Sequence, residues 1–461
     1  MSAFIPAIGA SLLAASLAFS SGSPVVAEAN VDLQALIDAT PSWGTLTLAP
    51  GTYRGRVVID KPITIDGGGV AIVDGLGEGN TIEVTSGGVV LKRLEIRSTG
   101  DSLDRENAAV SATAAPGLTV EDCVFEDVLF GVFSRESPGT VVRRNVIGAK
   151  DLEVGRRGDA LRLWESPGSL VEGNTVAGGR DSVIWFSDGT VVRDNRFTGG
   201  RYGLHFMYDH GVIVERNQLE GNSVGAYLMY SSDIEFRDNV VAGNHGPSGY
   251  GLGLKDVDGV TADGNRFVGN RVGIYLDNSP VGYDVHQYFS GNLVAFNQVG
   301  VLFTPSVQRN HFSGNAFVDN REQVGVSGTG TFTGNEWTID GVGNHWDDFG
   351  GYDADGDGIG DIPYRLADLY STLTDRHPEI VFFAETPAAS AIALTARLFP
   401  ALRPEPKVID EAPLISMPEM EPPVAGMEAP HARGLISASL AMLAMSALLV
   451  TASRPARRLR P

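Results

Sequence analysis

Soft-metal ligands recur at a fixed interval in the middle of this sequence. His205 and Met207 lie in Tyr202-Gly-Leu-His-Phe-Met-Tyr208, Met229 follows Met207 by 22 residues in Gly225-Ala-Tyr-Leu-Met-Tyr230, and His210 stands between them. Thioether sulfur with imidazole nitrogen is a ligand set suited to Cu(I), a soft ion. Held together on rigid strands, these four would bind without an ordering cost. A plainer use of the same residues is contact: an outward wall of Trp and Met needs a loop or a partner to cover it, with His205 as a surface polar residue. The two uses are compatible.

Two further groups could take a metal. In Asp353-Ala-Asp-Gly-Asp-Gly-Ile-Gly-Asp361, residues Asp353, Asp355, Asp357, Ile359 (through its carbonyl) and Asp361 fall at positions 1, 3, 5, 7 and 9 of a calcium loop. Gly358 holds the sharp-turn slot, but position 12 is Tyr364 where a full EF-hand has Glu. Calcium here would clamp the end of a fold; without it the run is an acidic turn. Nearer the end of the chain, Met417, Met420, Met427 and His431 give four soft ligands within fifteen residues. Such a segment could pass Cu(I) along, or simply be a linker that contains methionine.

A repeat positions these residues. The strings VVRRN, LVEGN, VVRDN, VIVERN, DIEFRDN and VTADGN end at Asn145, Asn174, Asn195, Asn217, Asn239 and Asn265, spaced 21, 22 and 22 among the central four. The series continues to Asn292, Asn315 and Asn335, and Cys123 occupies the same slot 22 residues before Asn145. After each Asn a second strand opens on Gly, as in GLHFM, GAYLM, GLGLK, GIYLD and GVLFT. Alternating β-branched and aromatic runs cut by Gly and Asn are strands, not helix. A coil of about 22 residues cannot bury its face alone, whereas coils stacked about 4.8 Å apart can. The expected fold is therefore all-β, a right-handed parallel β-helix. An inward Asn on every coil builds an amide ladder, which makes the asparagines structural and Cys123 a core residue.

Registered coils stack residues of equal offset into columns. Ten residues before successive Asn stand Trp164, Trp185, Met207, Met229 and Lys255, and two residues earlier stand Arg162, Val183, His205, Tyr227 and Gly253. Leu163, Ile184, Phe206, Leu228 and Leu254 alternate with them and should face the core, placing the flanking columns outside.

The ends concern addressing. Residues 4–19 are apolar and Ala27-Glu28-Ala29 is a small-x-small site, so residues 1–29 read as a secretory signal. Residues 434–452 are uncharged, about 28 Å of helix at 1.5 Å per residue, and Arg454, Arg457, Arg458 and Arg460 follow. These features point to a single transmembrane helix with a basic cytoplasmic tail at 453–461, or to a cleaved sorting signal. Between the ends we expect an N-terminal cap (30–44), the β-helix (45–340), a C-terminal cap with the acidic loop (341–384) and a flexible Pro/Met-rich linker (385–433).

Composition narrows the function. A single Cys excludes a disulfide scaffold and multi-cysteine zinc or iron–sulfur sites. Lys+Arg 35 against Asp+Glu 56 gives a net charge of −21, which argues against nucleic acid as a partner.

At these residues the chain resembles the NosD family of periplasmic β-helix proteins that mature nitrous oxide reductase. The match lies in the Asn-ended coils, the Tyr202–Tyr208 and Gly225–Tyr230 strings, Gly273-Ile-Tyr275, and Gly343-Asn-His-Trp346 followed by the acidic run, over about residues 30–383. The coils alone are shared with many carbohydrate-active β-helices; the YGLHFMY and GAYLMY pair is far more specific. The resemblance implies a non-enzymatic role in the periplasm, delivering copper as Cu(I). Its implied partners are nitrous oxide reductase, an ABC-type ATPase with its membrane permease, and a copper chaperone. The matching positions are His205, Met207 and Met229, and the family does not require the C-terminal membrane segment.

Two other readings compete. A polysaccharide lyase or epimerase would use Lys255, Asp277 and Asp284 on neighbouring coils. Against it, thioether and aromatic residues stand where a uronate polymer wants Arg and Lys, and the net charge repels a polyanion. A non-enzymatic surface-contact solenoid would show neither metal affinity nor turnover.

Overall fold

Strands of three to six residues have too little surface to stand alone, and here each is stacked in register on its equivalents in the turns before and after. The protein is seen in a computed structural model that describes residues 32–328, 333–367, 369–377, 380, 383, 386–399 and 404–419. One 12-stranded sheet takes one strand per turn, from Val57–Ile59 to Glu322–Val326, and a 23-stranded sheet takes two strands from most turns. Pairing between the strands of successive turns is parallel, as in Tyr202–Met207 on Val224–Met229. The architecture is the expected parallel β-helix.

A single turn shows how the sequence bends the chain. Tyr202–Met207 lies in the first sheet, and Ile213–Glu215 and Gln218–Glu220 in the second. Between the last two, Arg216 takes a left-handed conformation (φ 52°) and turns Asn217 inward. Asn217 donates its backbone N–H to Asn239 Oδ1 (2.9 Å) and its side-chain N–H groups to Val192 O (2.8 Å) and Asn239 Oδ1 (3.1 Å). Repeated from Asn145 to Asn315, this unit satisfies the buried corner that a chain reversal would otherwise leave unpaired. Cys123 begins the column: it is buried, and its N–H donates to Asn145 Oδ1.

Two details differ from the sequence reading. The ladder passes from Asn315 to Asn344, not Asn335, because an insertion lengthens that turn; Asn335 pairs with Asn310 at another corner. A second ladder of Asn222, Asn244, Asn270, Asn297 and Asn320 runs beside the first.

Both ends of the solenoid are covered. Helix Leu33–Ala39, capped by Asp32, buries Leu33 and Ile37 against the first turn. At the far end Phe317, Trp346 and Tyr364 stack at centroid distances of 4.3 and 4.5 Å. The expected flexible linker over 385–433 is corrected in part. Residues 386–399 contain helix Pro387–Leu398, and Val408–Asp410 returns to pair antiparallel with Tyr364–Leu366. Asp410 explains the return: fully buried, it accepts from the Asn344 N–H (2.7 Å), the Trp346 Nε1–H (2.9 Å) and the Thr338 hydroxyl (2.7 Å), and so terminates the Asn ladder. The signal segment (1–29), the hydrophobic segment (434–452) and the basic tail (453–461) lie outside the described residues. Among those described, no helix is long and apolar enough to cross a membrane.

Candidate metal-binding face

Alternation along the 12-stranded sheet decides which side chains face outward. Phe206 and Leu228 are fully buried in the core, while His205 and Met207 point the other way, in register with Tyr227 and Met229. The outward face is not open to water. Trp185 meets the His205 ring edge-on at 5.4 Å and Tyr202 meets it at 5.0 Å, leaving His205 only 7 % exposed. Trp164 and Trp185 continue the layer on one side, and Tyr227, Tyr250 and Tyr275 on the other. Trp164 and Trp185 are themselves members of the outward Trp and Met column, which forms this wall with the tyrosines.

Under that wall lie the two atoms best placed to hold a soft ion. His205 Nε2 is 3.4 Å from Met229 Sδ. Donors at that separation, with bonds of about 2.0 Å to nitrogen and 2.3 Å to sulfur, subtend roughly 100° at a metal, close to tetrahedral. The thioether can only accept, so without a metal this contact places the imidazole proton on Nε2; a metal joining the two atoms would require the tautomer protonated at Nδ1, which is buried without a hydrogen-bond partner. Burial pushes the imidazole down to about 4, with Asp181 opposing and Arg201 and Arg180 reinforcing the shift. The ring is therefore neutral, with a free lone pair, at neutral pH. Asp181 is itself neutralised by Arg201, whose Nε donates to Oδ1 at 3.0 Å. Met207 stands two residues from His205 on the same face, its N–H held by Asp209 Oδ2 at 2.8 Å.

His210 does not join the set. Tyr208 turns the chain in a left-handed conformation (φ 59°), and beyond it His210 bridges to Ser232 at the edge of the other sheet, with Nδ1 2.8 Å from the Ser232 hydroxyl. The expectation that it shares the site is corrected: the corner intervenes. Tyr208 instead stacks between Phe186 and Tyr230 at 4.9 and 5.1 Å, an aromatic pile along the corner beside the site.

The acidic loop sits at the C-terminal end of the solenoid. Carboxylate oxygens of Asp353, Asp355 and Asp357 lie within 4.8 Å of one another. Asp353 accepts from the Gly356 and Gly358 N–H groups, which hold its carboxyl below the usual range, while the Asp357 charge raises that of Asp355. Asp361 closes the loop by accepting from the Ala354 N–H. Ile359 pairs with Leu414 through hydrogen bonds of Gly358 O and Gly360 N, which leave the Ile359 carbonyl out of the pairing. Met417 follows this returning segment and is exposed; Met420 and Met427 lie outside the described residues.

Of the residues a lyase or epimerase would use, Lys255 is not set up as a proton-abstracting base. The Lys255 ammonium is 3.1 Å from Asp277 and 3.5 Å from Asp256, and its hydrogen bond to Asp277 raises its pKa, the opposite of what a general base needs. The sequence reading also missed the shielding of His205 by Tyr202 and Trp185. The signal was present, since Trp185 is the column neighbour of Met207.

The protein is thus a parallel β-solenoid with an imidazole–thioether pair on its outer face. Residues 148–351 match the family model described as NosD, periplasmic copper-binding protein. A Pseudomonas aeruginosa protein named "probable ABC transporter binding protein NosD" is 37 % identical over 392 residues, spanning 82 % of this chain and 90 % of that one. A Stutzerimonas stutzeri protein of the same name is 32 % identical over 416 residues, spanning 87 % and 93 %. The chain belongs to the NosD family. Among solved structures, the A-module of the Azotobacter vinelandii mannuronan C-5 epimerase AlgE4 superposes with a TM-score of 0.52 at 14 % identity, covering 67 % of this chain and 96 % of that one. At that identity the likeness is one of fold alone.

Proposed function

We propose that this protein is exported and carries Cu(I) as cargo on the face formed by His205, Met229 and Met207. It hands the ion on for maturation of nitrous oxide reductase, working with an ABC-type ATPase and permease and supplied by a copper chaperone. The observation that carries this reading is the neutral His205 imidazole with Nε2 3.4 Å from the Met229 sulfur. Family membership supports periplasmic copper binding, and the relatives' names support association with an ABC transporter. The N-terminal signal and a membrane tether at 434–452 belong to the same proposal; both rest on the sequence pattern.

The test is an anaerobic Cu(I) titration of the full chain against a competing chelator. His205→Ala and Met229→Ala should each weaken binding at least tenfold, and Met207→Ala less. Loss only on replacing Met417, Met420 and Met427 together would move the site to the C-terminal segment. Binding that no variant weakens, or none that competes with the chelator, would overturn the reading.

The acidic loop supports a second, structural metal. Three carboxylates within 4.8 Å of one another, at calcium-loop spacing, suit a hard cation with oxygen ligands. Millimolar calcium should raise the melting temperature of the wild type and not that of Asp353→Asn/Asp357→Asn; equal shifts in both would exclude the loop.

A further inference from the structure

Two to four turns beyond the copper face, on the outside of the other sheet, two imidazoles point at each other. His286 Nδ1 lies 2.5 Å from His311 Nε2, with ring centroids 4.6 Å apart. His311 belongs to strand Asn310–Ser313 and is in register with Tyr288 of Gln287–Ser290; His286 immediately precedes that strand. The far nitrogen of His311, Nδ1, is 3.2 Å from Glu336 Oε2, in the next coil.

The chemistry of this arrangement is restrictive. Nitrogen lone pairs aimed at one another repel, so a proton or a metal must lie between them. Donation of the His311 Nδ1–H to Glu336 fixes the tautomer and presents a basic Nε2 toward His286. This is the carboxylate–histidine pairing that orients imidazole ligands in metal sites. Two metal–nitrogen bonds of about 2.0 Å at 90–110° set the nitrogens about 2.8–3.3 Å apart, an opening of roughly 0.5 Å for two half-buried rings.

We infer that His286 and His311, oriented by Glu336, form a further metal site, distinct from the Cu(I) face and the acidic loop, that takes a borderline divalent transition ion, with remaining positions open to water or a partner's ligand. Imidazole ligands without thioether separate it by chemistry from the Cu(I) face, and by the Irving–Williams order Cu(II) is the strongest probe.

The test uses the full chain without an affinity tag, loaded with one equivalent of Cu(II) and read by electron paramagnetic resonance. The expected spectrum shows hyperfine splitting from two imidazole nitrogens. Affinity measured by Zn(II) competition should fall at least tenfold in His286→Ala and in His311→Ala, and about 10–100-fold in Glu336→Gln. His205→Ala and Met229→Ala should leave spectrum and affinity unchanged, so failure of the Cu(I) reading and failure of this one give different patterns. Both rings and the carboxylate stand outside the core, and unchanged melting of His286→Gln confirms that a lost signal is lost ligation. A spectrum unaltered in both histidine variants, or one that His205→Ala removes, overturns the inference.

Discussion

Below about pH 6.5 an ordinary histidine stops serving as a metal ligand, because a proton occupies its lone pair. His205 should depart from that rule. Covered by Trp185 and Tyr202, and facing Arg201 and Arg180 against the single opposing charge of Asp181, it titrates near 4. At pH 5 an unperturbed imidazole is only about 3 % neutral, whereas one titrating near 4 is about 90 % neutral. Lowering the pH from 7 to 5 would therefore weaken Cu(I) binding about 25-fold through an ordinary histidine, but no more than about twofold through His205. The sign follows from a depressed pKa: the ligating form persists as pH falls and is lost only on passing through about 4. The assay is anaerobic Cu(I) competition at pH 7, 6 and 5, against a chelator calibrated at each pH. Met229→Ala should lower affinity by the same factor throughout, since a thioether does not titrate. Asp209, pushed up to about 7 by burial, holds the Met207 N–H, and Asp209→Asn separates its contribution. A 25-fold decline with its midpoint near 6.5, present in Asp209→Asn as well, would refute the claim that burial keeps His205 ready to bind.

Three predictions concern the scaffold. Asn217→Ala removes the acceptor of the Asn195 N–H and a donor to Val192 O; at about 1–3 kcal/mol for each of these two buried groups, urea unfolding should show a loss of roughly 2–6 kcal/mol. Asp410→Ala unpairs Asn344, Trp346 and Thr338 together, and should cost about 3 kcal/mol or more while opening residues 404–419 to limited proteolysis. Cys123, buried and with its thiol pushed up to about 12, should not react with a thiol reagent at pH 8 until urea unfolds the chain.

Much of this was legible because a solenoid writes its geometry into its period. The spacing of 21–22 fixed which residues stack, and the inward Leu163, Ile184, Phe206 and Leu228 followed from alternation. The second Asn ladder was equally visible, five residues after the first, but its members sit before the Gly-opened strands and were absorbed into them. Other features were hidden because they depend on insertions or on side-chain direction. The lengthened turn moved the ladder's end from Asn335 to Asn344. The left-handed Tyr208 sent His210 to a different sheet although it is only three residues from Met207. The return of Val408–Asp410 rested on one buried carboxylate in a segment whose Pro and Met content suggests a linker.

A carrier needs ligands that are fixed yet too few. Strands locked on both sides by neighbouring coils hold His205 and Met229 in place before any ion arrives, so binding gives up little conformational entropy. Under the proposed function, an imidazole and a thioether with a third donor, Met207, on the same face would leave Cu(I) short of a closed tetrahedral shell. An incoming ligand from a recipient can then join before the old ones leave, avoiding a bare ion in water. The aromatic layer works in the same direction, since Trp185 and Tyr202 exclude water from one side of the imidazole and leave approach to the edge where Met229 stands. A closed four-ligand site would hold copper more tightly and release it more slowly; one with fewer ligands on a rigid wall would favour exchange between partners.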